Sequence, residues 1–248
     1  MAININANIN EAAAANAAAA GLNGIERKKS SVAYQYIKKK IIENSFAPGR
    51  DLSEEFLVKE LGMSRTPIRD ATKLLEKEGF LNIYPNRGIV VRPIDMKLVE
   101  HIFTIRELNE PYITAGSIGN LPLKDYLTEL RTQIELADKI SDRTARQNRL
   151  MELDSKLHWN VLNTCDNPFI LSMMSTVYDH NDRIRIYTST TFMEGAQREH
   201  LEIINYILSQ DTDGAKKSAK NHVFTSFEHI VNDFYKLGNS RIRYSITN

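Results

Sequence analysis

The feature that most constrains this chain is a change of period at Gly79. Upstream, three apolar patterns recur at helical spacing. Just downstream, Phe80–Tyr84 and Ile89–Arg92 read as two short strands around the turn Pro85-Asn86-Arg87-Gly88. After Pro93 the strand signals stop. In the first helix, which opens at Ser30, Val32, Tyr36, Ile37, Ile41 and Ile42 share a face, and Lys38, Lys39 and Lys40 lie largely on another. It ends before the turn pair Pro48-Gly49. The second runs roughly Ser53–Leu61 with Phe56, Leu57 and Leu61 inward, and Gly62 suits a residue of positive φ at its end. Ser64 then stands where an N-cap belongs, its hydroxyl able to accept from an orphan amide of the third helix. Pro67 falls in that helix's first turn, where a missing N–H costs nothing. Ile68, Ala71, Leu74 and Leu75 turn inward before Gly79 ends it. Three helices followed by a β-hairpin predict a winged helix-turn-helix.

The remainder reads as helix alone, at roughly 95–118, 123–140, 143–164, 168–190, 194–210 and 212–237, with breaks such as Gly119–Pro122 and Asp166–Pro168. At 248 residues the chain exceeds one typical domain of roughly 100–200 residues. The expected fold is mainly α: a low-complexity, mobile tail over 1–29, a winged helix-turn-helix over 30–93, and an antiparallel helical bundle over 94–240. The tail, Asn-Ile alternation followed by Ala and Asn, has too little apolar bulk to offset the entropy of ordering.

Charge is unevenly placed. Between Arg27 and Arg92 stand 14 Lys/Arg against 8 Asp/Glu, so the front segment carries +6 in a chain whose net charge is only +1. A basic front joined to an acidic remainder suits a nucleic-acid module attached to something else, although a solvated face gives the same imbalance. The single cysteine, Cys165, excludes an internal disulfide, fits a reducing compartment and reads as a small buried hydrophobe. No stretch has the roughly 20 apolar residues that a membrane span needs, and the Ala12–Ala20 run lacks a signal peptide's basic flank. A cytoplasmic protein is expected.

In a helix-turn-helix the second of the two helices enters the major groove with its N-terminal residues against the bases. Here that end offers Arg65, Thr66 and Arg69. An arginine fork pairs bidentately with guanine O6 and N7 or with phosphate, while the Ser64 and Thr66 hydroxyls suit phosphate oxygens. Arg87 and Gly88, at the hairpin tip, are placed to enter a neighbouring minor groove. Taken singly, each arginine also reads as an ordinary surface residue; the ordered run of turn glycine, cap serine, basic helix start and basic tip carries the case. Phe46-Ala47-Pro48-Gly49, Leu61–Arg69, Glu78-Gly79-Phe80 and Pro85-Asn86-Arg87-Gly88 resemble the N-terminal signature of GntR-family regulators. The resemblance implies DNA contacts from Ser64, Arg65, Thr66, Arg69, Arg87 and Gly88. Glu55 departs from it, standing where some relatives place a phosphate-contacting arginine.

In the second half, Asp154 and His158 at i and i+4 share one helix face beside Leu150, Leu153, Leu157 and Val161. His200 and His222 lie on later helices among inward apolar residues. Three imidazoles and a carboxylate in one bundle can be satisfied by a metal ion, or by hydrogen bonds within the core. Ile105-Arg106-Glu107-Leu108, Asp154-x3-His158, Asn167-Pro168, Glu199-His200 and the histidine of Ala219-Lys220-Asn221-His222 resemble the FCD domain of FadR-type GntR regulators. Its metal-binding members use one aspartate and three histidines, which fall here on Asp154, His158, His200 and His222. The resemblance also implies Arg106 as a contact for an organic-acid effector; an ion pair with Glu110, one turn along, is the competing reading. His101, His180 and His229 match no motif.

Together these features predict no enzyme but a ligand-responsive transcriptional regulator, a repressor or an activator. It would bind a palindromic operator as a homodimer and hold a divalent ion, Zn or Ni, beside a small carboxylate effector. An architectural DNA-binding protein without effector is the alternative. A metallohydrolase is disfavoured, since no His-Glu-x-x-His pair occurs and the winged helix would then serve nothing.

Overall fold

A computed structural model describes residues 24–85, 88–188 and 195–246, and divides the chain into two compact units, Met1–Asp95 and Met96–Asn248. In the first unit, α1 (Gly24–Ile42) packs along α3 (Arg65–Lys77), with α2 (Glu54–Leu61) against α3. The three enclose Ile37, Ile41, Leu57, Ile68 and Leu75, as the sequence predicted, together with Ala33; Val32, expected on the same inward face, is instead 46% exposed, because Ala33 takes its place toward the core. Helix α1 starts at Gly24, so the expected tail is helical from there; the rest of that expectation, residues 1–23, lies outside the described residues.

The sheet has three strands rather than the two expected. β1 (Asp51–Leu52), β2 (Leu81–Tyr84) and β3 (Gly88–Val91) lie in the order β1-β3-β2, all antiparallel, with Leu52 opposite Ile89 and Ile83 opposite Ile89 from the other side. Two residues are too few for a period to show in sequence, but Gly49 N–H donating to Val91 O at 2.8 Å, and Val91 N–H to Arg50 O at 2.9 Å, hold β1 on the wing.

Lys38 also departs from expectation. It is 6% exposed, not solvated, because its ammonium donates to the Tyr34 hydroxyl (2.8 Å) and to Glu78 (3.0 Å) and lies over the Phe80 ring. Tyr34 in turn donates to Glu78 at 2.8 Å, so α1 is tied to the C-terminal end of α3 by a partly buried network. Burial raises the Tyr34 hydroxyl's pKa well above its ordinary value.

Among the described residues the second unit holds six helices: α4 (Met96–Gly116), α5 (Leu121–Ala137), α6 (Arg143–Leu162), α7 (Pro168–Tyr187), α8 (Ala196–Leu208) and α9 (Thr212–Ile246). Asn120, Asp142 and Asn167 cap α5, α6 and α7 by accepting amides of the first turn. α9 passes the expected stop at 237; Gly238 costs about 1 kcal/mol inside a helix but does not forbid helical backbone. α4 packs against α6, α7 and α9, while α8 packs against α5, α6 and α9, which brings α6, α8 and α9 to a common interior. No helix among the described residues is long and apolar enough to cross a membrane.

Candidate metal centre and DNA-reading face

Asp154 and His158 enter the bundle interior from α6, His200 from the first turns of α8, and His222 from α9. Leu153 and Leu157, 0% and 1% exposed, fix the inward face of α6 on which the first two stand. One ligand atom from each of the four residues lies within 4.8 Å of all the others. His200 Nε2 is 3.0 Å and His158 Nε2 3.5 Å from Asp154 Oδ1, and the His158 and His222 Nε2 atoms are 3.2 Å apart. A tetrahedral ion bound at roughly 2.0–2.1 Å separates its ligands by about 3.3–3.4 Å, and these three separations stand near that spacing.

The surrounding charges set the donor states. Glu199 accepts from His222 Nδ1 at 2.9 Å and from the Thr225 hydroxyl at 2.9 Å. Burial works against the Glu199 carboxylate, but the hydrogen bond and charge of His222, with Thr225 and His200, together outweigh it and hold its pKa below the ordinary value. A proton on Nδ1 leaves the Nε2 lone pair aimed at the cluster. Burial pushes the His222 imidazole down to about 4, against the pull of Glu199, so it is neutral and ligand-ready at neutral pH. At Asp154 burial alone would favour the acid; Arg185, donating to Oδ2 at 2.5 Å, and the histidine contacts keep its pKa well below the usual carboxylate range. Oδ1 is thereby left to the histidines. The donor set and its tautomers fit a borderline cation such as Zn or Ni.

Beside the cluster is a cavity of about 60 Å3, lined by Asp154, His158 and His222 together with Arg106, Asn181 and Arg185. Arg106 faces it, but its Nε donates to Glu110 at 2.6 Å and its Nη1 to Asn181 Oδ1 at 2.9 Å. Glu110 also approaches His158 Nδ1 at 3.7 Å. The ion pair that competes with Arg106's effector role is therefore formed. Sequence reading missed the α7 wall: Tyr178, Asn181, Asp182 and Arg185, spaced i, i+3, i+4 and i+7, all line the cavity. That polar stripe was there to be read. His229 lines the cavity as well, whereas His180 is buried and His101 exposed away from it.

On the first unit, Ser64, Arg65, Thr66 and Arg69 stand exposed on one end of α3. Gly62 has φ 62°, the left-handed C-cap its position called for. Ser64 adopts the extended N-cap backbone, but its hydroxyl makes no capping bond. Arg65 and Arg69 are paired with acids of α2: Arg69 Nε donates to Glu54 at 2.5 Å, and Arg65 Nη2 lies 3.6 Å from Glu55. Gly88 is exposed at the start of β3 with φ 96°; Arg87 lies outside the described residues.

A three-helix unit with a β-wing and an exposed basic helix end, joined in one chain to a helical domain with a buried Asp/His3 cluster, defines a DNA-binding regulator. Residues 29–91 match the bacterial regulatory proteins of the gntR family, and residues 101–225 match the FCD domain. The chain is 30% identical over 198 residues, 79% of its own length and 86% of the relative's, to the HTH-type transcriptional regulator YdhC of Bacillus subtilis. It is 23% identical over 192 residues, 77% of its own length and 83% of the relative's, to the HTH-type transcriptional repressor RspR of Escherichia coli. Among solved structures, a GntR transcriptional regulator from Rhodococcus sp. RHA1 superposes with a TM-score of 0.67 at 17% identity, over 83% of this chain and 98% of that one. E. coli McbR/YncC gives 0.66 at 17%, with the same coverage of each chain. The chain belongs to the GntR family, as an HTH-type transcriptional regulator with an FCD domain.

Proposed function

We propose that this regulator binds a divalent ion through Asp154, His158, His200 and His222, and that a small carboxylate occupying the adjoining cavity alters its affinity for an operator. The observation that carries the reading is the four-donor cluster, its ligand atoms within 4.8 Å of one another, beside a cavity that Asp154, His158 and His222 help to line. When bound, the ion supplies a Lewis-acidic centre for an anionic oxygen. A volume of about 60 Å3 holds roughly four to six waters, at about 10–15 Å3 each, so a small carboxylate suits the cavity. Glu199 orients His222, Arg185 orients Asp154, and Arg106 and Glu110 brace α4 against α7 and His158.

DNA recognition is assigned to Ser64, Arg65, Thr66, Arg69, Arg87 and Gly88. The exposed N-terminus of α3 supports the first four, and the wing supports the hairpin tip. A homodimer on a palindrome would present two such heads, and effector binding would act by favouring one arrangement of them. The site of action is the cytoplasm, where the chromosome lies. The test is fluorescence anisotropy on a DNA fragment selected from random sequence by the protein, with metal-loaded protein and a panel of short carboxylic acids. At least one acid should shift the affinity about fivefold or more, and only with metal present. Affinity unchanged by metal and by every acid would favour an architectural protein instead.

A further inference from the structure

The reading helix α3 is flanked on both sides, and its two flanks carry opposite charge. Arg65 and Arg69, at i and i+4, face α2, where Glu55 and Glu54 pair with them. Asp70, one residue on from Arg69, faces α1: the buried Ser30 hydroxyl donates to Asp70 Oδ2 at 3.4 Å. Tyr34 and Lys38, one and two turns further along α1, both reach Glu78 at the far end of α3. The two helices therefore run in the same direction, with their first turns side by side. Arg65 and Thr66 precede Asp70 by about 6–7.5 Å of helix rise. Towards that same end α1 continues beyond Ser30, back to Gly24, and carries Lys28 and Lys29, both exposed. Neither has an ion-pair partner among the described residues, whereas Arg65, Arg69 and the buried Lys38 are each held by a glutamate.

We infer that Lys28 and Lys29 are a phosphate-binding flank of the DNA-reading head, gripping the duplex backbone on the side of α3 opposite α2. This rests on the assignment of DNA recognition to the N-terminal end of α3. A helix of about 10–12 Å diameter fills a major groove about 12 Å wide, so the elements beside it meet the two sugar-phosphate backbones. On the α2 side, Glu54 and Glu55 repel a phosphate and occupy the arginines that would meet it. On the α1 side, two uncommitted ammonium groups attract one. Lysine binds phosphate as a point charge on a flexible stem and reads no base. This flank accordingly supplies affinity and register, and leaves the choice of sequence to α3.

The test is the salt dependence of DNA binding by the full chain. Fluorescence anisotropy reads it on a mixed-sequence duplex and on the fragment selected from random sequence. Each lysine on a phosphate adds about 0.9 to the slope of log affinity against log salt. Lys28→Gln/Lys29→Gln should therefore flatten the slope by about 1–2 units and weaken binding about tenfold or more near about 0.1 M salt, equally on both duplexes. Lys39→Gln/Lys40→Gln removes the same charge from the last turn of the same helix. That turn lies about 15 Å away along the axis, beyond a Debye length of about 10 Å, so its slope should match wild type. Circular dichroism checks that each variant is folded. The assignment is overturned if the first variant keeps the wild-type slope, or if the second flattens it as much. A loss confined to the selected fragment also overturns it, since that marks a base contact. A wild type that binds neither duplex removes the DNA-reading assignment itself, a failure distinct from these.

Discussion

Asp154 keeps its charge although it is 6% exposed, because burial is outweighed by Arg185 and the facing histidines. The same physics gives its neighbours opposite fates. Asp182 is pushed up to about 7, first by burial, with Arg185 pulling down and Asp179 and Asp154 pushing further up. The native state therefore holds this proton more tightly than the unfolded chain, whose carboxyl titrates near 3.8. Its contribution to stability is intact below about pH 4 and is lost as pH rises through about 7. Asp182→Asn, fixed in the neutral form, should raise the thermal midpoint of the metal-free chain at pH 8 and leave it unchanged near pH 4; equal shifts at both would contradict this account. Glu199 acts on the metal through His222, so Glu199→Gln should weaken zinc binding about 10- to 100-fold in chelator competition while the far-ultraviolet spectrum stays the same. Retained affinity would show that the Glu199 hydrogen bond has no part in ligation. Sequence reading reached the four residues of the buried cluster through i,i+4 spacing and resemblance. It could not show that Arg106 is also held by Asn181, because that partner comes from α7, far away in sequence.

At the scale of elements, α2 and α3 present the reading head, and Glu54 and Glu55 of α2 sit against its arginines. The Arg65–Glu55 pair is exposed and adds little to stability, about 0–1 kcal/mol. Its effect belongs to DNA binding, where a carboxylate beside a phosphate-seeking guanidinium opposes association. Glu55→Gln should therefore tighten binding to non-specific duplex and steepen its salt dependence by up to about one unit of slope; an unchanged slope would show that Glu55 stays clear of the phosphates. Gly62→Ala, forcing a side chain into left-handed backbone, should cost about 1–2 kcal/mol in urea unfolding. Among the described residues, periodicity predicted every helix, since each buries an apolar stripe. It missed β1, two residues long and made a strand only by pairing with Val90 and Ile89. It also placed Lys38 in solvent, because a buried lysine is allowed only by partners such as Glu78, 40 residues away.

At the scale of the molecule, a metal ion would join α6, α8 and α9 at one point, and binding to the folded state alone adds stability by mass action, about 4 kcal/mol at a thousandfold excess over Kd. Chelation should accordingly lower the unfolding temperature of the helical unit and leave the winged unit's transition where it was; a common shift, or none, would place the ion elsewhere. Length and the change of period near Gly79 were enough to separate a winged helix-turn-helix front from an all-helical remainder; the sensing role came only with the resemblance. The effector and operator are set by cavity walls and base edges that no spacing rule encodes. The most direct measurement is the metal content of the purified full chain by mass spectrometry, wild type beside His200→Ala. About one zinc or nickel per chain, lost in the variant, is the predicted result. A wild type that stays metal-free even after incubation with Zn2+ and Ni2+ would contradict the account at its centre.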